Sequence, residues 1–73
     1  EDTMSEELRS AARATEIAAS FMNKYYSYVR PLRAVREDNT WLVEIDVGLT
    51  VVKIAKVKLD AMSGEILEYT VPS

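Results

Sequence analysis

The chain has 73 residues, twelve acidic side chains against nine basic ones, no His and no Cys. These absences exclude disulfides, thiolate nucleophiles, Cys-ligated zinc and iron–sulfur clusters, and they remove imidazole as a base or metal ligand. A hydrophobic share of 48% is that of a globular chain rather than a disordered one, and a chain this short makes one domain, here spanning 1–73.

Such a domain buries only ~60% of its unfolded surface, so its stability margin is thin and no covalent staple widens it. A net charge of −3 gives no overall pull toward nucleic acid or an anionic membrane. No apolar run approaches the ~20 residues of a membrane span, and no charged-then-apolar leader is present. The chain opens Glu1-Asp2-Thr3 and reaches a Met at Met4. That opening is the one expected of an excised or processed piece, or of a natural start at Met4.

The first predicted element is a helix over about 5–28. Ser5 is the expected N-cap, with Glu6 and Glu7 in the first turn, where the helix dipole favours acids. At 100° per residue, Leu8, Ala11, Ala12, Ala14, Thr15, Ala18, Ala19, Phe21, Met22, Tyr25 and Tyr26 fall on one side. Arg9, Arg13, Glu16, Ser20, Asn23, Lys24 and Ser27 fall on the other, with Ile17 the misfit among them. The stripe is rich in Ala, and small side chains let a helix sit close to a pleated sheet. Pro31 disfavours the α region at Arg30 and so ends the helix near Tyr28 or Val29.

Strand patterns follow. Residues 32–37 form a first strand, ended by the turn residues Glu37-Asp38-Asn39-Thr40. Over 41–47, Trp41, Val43, Ile45 and Val47 alternate with Leu42, Glu44 and Asp46, which is period two. Residues 51–59 form a third strand, where Ala55, Val57 and Leu59 alternate with Lys56 and Lys58. The doublets Val51-Val52 and Ile54-Ala55 predict a bulge near Lys53. Asp60-Ala61-Met62-Ser63-Gly64 is turn chemistry, and 65–71 is the last strand, with Pro72 after it.

One helix followed by four strands with short connections makes an α+β, two-layer domain, with the helix packed on a four-stranded antiparallel meander sheet. The expected helix-facing residues are Val35, Trp41, Val43, Ile45, Val47, Val57, Leu59, Leu67 and Tyr69. Leu42, Glu44, Asp46, Lys56, Lys58, Ile66 and Glu68 are expected on the opposite face. Regular turns would align Glu44, Lys56 and Glu68 as one acid–base–acid row.

Two stretches carry a resemblance. Trp41-Leu42-Val43-Glu44-Ile45, then Lys56 to Leu67 with Asp60, Ala61, Ser63, Gly64, Glu65 and Leu67 as the closing motif, resembles the PepSY domain. The likeness covers about 41–69 and takes in the helix loosely. The 47–52 hairpin is more apolar than that family's polar, Gly-rich turn, and the helix is longer than the family needs. The resemblance implies a non-catalytic module of peptidase propeptides and cell-envelope proteins that restrains or binds peptidases. It implies a cell-envelope or secreted setting, against a cytoplasmic one without it. A weaker likeness is to the small gas-vesicle accessory proteins.

Four groups of residues carry candidate chemistry. Glu44, Asp46 and Glu68 are close enough in pattern for paired-carboxylate catalysis, but such a pair needs a cleft and split pKa values, and a solvated face is the expectation. Asp60, Ser63 and Glu65 around Gly64 offer oxygen ligands for calcium, with a plain β-turn the expected reading. Lys24, Arg30, Arg33 and Arg36 are four bases without an intervening acid, interleaved with Tyr25, Tyr26 and Tyr28. That pattern can grip single-stranded nucleic acid or an acidic partner, though Tyr25 and Tyr26 are expected in the core. Gly48-Leu49-Thr50-Val51-Val52 places large apolar residues where a hairpin is normally polar. Leu49, Val51 and Val52 either fold under the helix end or form an exposed patch that Leu42 and Ile66 extend. The expectation is a protein that is not an enzyme and uses no cofactor or metal. It either binds a protein partner or self-associates, a homodimer being one such form, through the sheet or the 48–52 hairpin.

Overall fold

The computed structural model describes residues 11–72, and the expected helix start at Ser5 lies outside them. Within them the order is α1 (Ala11–Met22), β1 (Arg30–Glu37), β2 (Thr40–Asp46), β3 (Ile54–Asp60) and β4 (Ile66–Thr70). The strands form one antiparallel sheet in the order β1-β2-β3-β4, with α1 packed on one face. The α+β two-layer architecture is thus as the sequence pattern predicts.

The helix is seated by Ala14, Ala18 and Met22, four residues apart and all fully buried. With only methyl groups at the first two positions, α1 lies close over β1, β2 and β3. Ile17, assigned to the polar side by the helical projection, packs half-buried against this core. Tyr25, expected in the core, is 61% exposed. Ala11 and Ala12 are also exposed.

The helix stops at Met22, not near Tyr28. Lys24 N–H donates to the Phe21 carbonyl and Tyr25 N–H to that of Met22, so the last turn tightens into three-residue closures. The physical reason is connectivity. β1 starts at Arg30, and residues 23–29 carry the chain from the helix to it while Tyr26 and Val29 pack on the core.

Three rows of side chains cross the helix-facing side of the sheet. They are Pro31–Ile45–Ala55, Ala34–Val43–Val57–Tyr69 and Arg36–Trp41–Leu59–Ile66. Val43, Ile45, Ala55, Val57 and Leu59 are fully buried, and Trp41 retains 7% exposure. Burying each of the larger side chains contributes about 1.5–3 kcal/mol, against a net stability for such a domain of only about 4–11 kcal/mol.

The register corrects several expectations. Val35 opposes Leu42 and so lies on the face away from the helix, with Ala34 taking the inward place. Leu67 is an extra residue between the pairs Lys58–Glu68 and Leu59–Ile66, which makes it a bulge. The bulge turns Ile66 toward the core and leaves Leu67 48% exposed, the reverse of strict alternation. Tyr69 remains on the helix side but is 47% exposed. β2 and β3 pair without interruption and β3 begins at Ile54, so the bulge expected near Lys53 is absent and Val51 and Val52 are loop residues. A second bulge falls at Leu32, between Pro31 and Arg33.

Both hairpin turns at the other end of the sheet are tight. Asp38 adopts φ 54°, a left-handed conformation that Asp tolerates better than most side chains, and Gly64 adopts φ 80°. Ala61 N–H donates to the Asn39 carbonyl at 2.7 Å and joins the two turns.

Candidate functional site

The loop of residues 47–53 joins β2 to β3 and displays Leu49, Val51 and Val52 at 74%, 72% and 72% exposure. Of the two sequence alternatives, the exposed patch is the one realised. The loop is nonetheless ordered from beneath. Asp46, only 5% exposed, accepts hydrogen bonds from the backbone N–H of Gly48 and of Lys53, both at 3.0 Å. Val47 N–H donates to the Lys53 carbonyl at 2.8 Å and closes the neck. These donors, Lys53 first and Gly48 second, hold the Asp46 carboxyl below its ordinary pKa, and the Arg30 charge adds to them against the opposing effect of burial.

Gly48 is required by the close fold of this loop. A Cβ there would fall 1.6 Å from the Val51 carbonyl oxygen. The two ends of the loop are thus tied together by hydrogen bonds, while Leu49, Val51 and Val52 project outward.

Strand alternation groups Asp46 with Glu44 as a surface acid, whereas in the fold it is nearly buried and ties the two ends of the loop together. An available signal was Asp followed two residues later by Gly, where an Asp side chain commonly accepts the N–H two positions on.

The five residues of the expected partner surface are not all brought together. Leu49, Val51 and Val52 share the loop, and Leu42 lies half-buried on the outward sheet face beside Val35. Ile66 lies on the helix-facing side at the far end of β4, where it helps line a shallow groove with Ile17, Phe21 and Lys24. Beside that groove, Phe21 meets Tyr69 edge-on at 5.0 Å and Tyr25 edge-on at 5.5 Å.

The four bases also separate. Arg33 faces outward and pairs with Glu44 at 3.2 Å. Arg36 lies on the helix side, 5.7 Å from the Trp41 ring, and donates to the Asp38 carbonyl. Arg30 opposes Asp46, and Lys24 lines the groove between α1 and β4. The strand pleat thus divides Arg33 from Arg36, and no single basic patch forms from these residues.

Among the carboxylates, Glu44 opposes Lys56 as expected, but Glu68 opposes Lys58. The observed rows are Arg33–Glu44–Lys56–Thr70 and Val35–Leu42–Lys58–Glu68, so the expected single row is split. Asp60 Oδ1 accepts the Met62 N–H at 2.9 Å and Ser63 Oγ accepts that of Glu65 at 3.1 Å, so both oxygens serve the turn. Among the described residues, no group of three or more His, Cys, Asp or Glu is placed to hold a metal ion. No helix among them is long and apolar enough to cross a membrane.

The fold and this loop define a small open-sheet α+β domain that projects an ordered apolar tip. Compared with family models, curated proteins and solved structures, the chain matches none.

Proposed function

We propose that this domain is a non-catalytic binding or regulatory module of the PepSY kind that docks on a protein partner through the 47–53 loop. Restraint of a peptidase is the role its sequence resemblance suggests. The observation that carries the reading is the exposure of Leu49, Val51 and Val52 on a loop whose two ends Asp46 ties together. An ordered apolar surface loses little conformational entropy on docking, which favours binding over incidental exposure. The absence of His and Cys, and the engagement of Glu44 by Arg33, support a non-catalytic role.

Affinity capture from the source cells tests this, with the wild-type domain and Leu49→Asp/Val51→Asp as paired baits. A peptidase or other protein retained by the wild type and lost by the folded variant is the expected result. Identical partner sets for the two baits would refute the loop as the docking surface.

A further inference from the structure

The loop carries charge as well as apolar surface. Strand pairing and the loop place Arg30, Arg33, Lys53 and Lys56 in the loop half of the sheet with Glu44 and Asp46; Arg33 is paired with Glu44, and four bases against two acids leave this half positive. The opposite half is acidic: Glu37, Asp38, Asp60, Glu65 and Glu68 stand there against Arg36 and Lys58. Its two turns are joined by the Ala61–Asn39 hydrogen bond, and the Asp60 and Ser63 side chains bond within the second of them. Among those carboxylates the Met62 side chain is 54% exposed.

One end of the domain is therefore an apolar tip beside bases, and the other is an exposed apolar side chain among acids. We propose that the occupant of the 47–53 loop is the turn end, residues 37–40 and 60–65, of a second copy of this chain. The proposal rests on the reading of that loop as a docking surface. Charge complementarity selects the occupant, because the acidic end supplies both the apolar contact and the opposite sign. One chain cannot satisfy itself, since a seven-residue strand spans about 23 Å between the two ends. Two different surfaces meet in this contact, so it is heterologous and builds a ring or an open filament rather than a two-fold dimer.

Light scattering with separated complementary variants tests it. The wild type should rise above its 8.2 kDa monomer mass as concentration increases. The rise should weaken in 1 M salt, where the screening length is about 3 Å. Leu49→Asp/Val51→Asp removes the loop and Glu37→Lys/Glu65→Lys reverses the turn end. All four positions are exposed, and circular dichroism checks that each variant folds. Each variant alone should stay monomeric, while their equimolar mixture should form a dimer and nothing larger, because only one intact contact remains.

A wild type that associates while the mixture does not would overturn the head-to-tail contact. A wild type that stays monomeric at every concentration would also overturn it. In that case, loop-dependent binding to phosphatidylserine vesicles or to a captured protein would preserve the loop as a docking surface with a different occupant. Loss of no interaction in the loop variant would remove both readings.

Discussion

Leu49→Asp/Val51→Asp asks whether the 47–53 tip belongs to the core or to a binding surface. Full burial of a Leu or Val side chain is worth about 1.5–3 kcal/mol. Leu49 and Val51 retain 74% and 72% exposure, so only about a quarter of that is at stake at each position. The pair should therefore cost about 1 kcal/mol, a fall in Tm of about 4–8 °C for a domain of this size. Leu59→Ala is the contrasting control, because Leu59 is fully buried between Trp41 and Ile66 in its row. Its loss should cost about 2–5 kcal/mol, a large part of the whole stability. Thermal melts followed by circular dichroism separate the two, and Trp41 fluorescence reports on the core directly. A double variant as damaged as Leu59→Ala would refute the assignment, and the loop side chains would then be core residues.

Two further predictions follow from the same packing and electrostatics. Ala18→Leu inserts three carbons where α1 seats on the sheet and should destabilise by about 1–3 kcal/mol, read as a lower urea midpoint at unchanged slope. A neutral effect would mean that the helix does not rest on its alanines. Asp46→Ala should lower stability at pH 7. The folded Asp46 pKa lies below its ordinary 3.8, so the unfolded chain takes up the proton first. The stabilisation is complete above about 3.8 and is lost as pH falls through the folded value beneath it. Denaturation midpoints of wild type and variant should accordingly converge toward pH 2, and a gap that widens with acid would contradict the assigned shift.

The candidate site was half legible in the chain itself. An apolar run in a hairpin, Leu49 to Val52, stands out against polar turn composition. Whether it folds inward depends on what supports it, and that support is Asp46 reaching Lys53, seven residues on. The basic run Lys24 to Arg36 was equally visible, but the pleat of β1 sends Arg33 and Arg36, three residues apart, to opposite faces. That division follows from strand period alone once 32–37 is read as a strand, because side chains an odd number of residues apart alternate faces.

Periodicity and turn chemistry together determine the helix, the four strands and their meander, because each repeat commits one face of an element to a core and short connections leave only antiparallel neighbours. The identity of the buried residues along β2 and most of β3 follows from the same alternation. Tertiary packing decides what alternation cannot: the early stop of α1 at Met22, the exchange of Ile66 for Leu67 at the β4 bulge, and the inward turn of Ala34 instead of Val35. Each of these depends on closing the chain over a shared core, where a single extra residue reverses which side of the sheet its neighbours face.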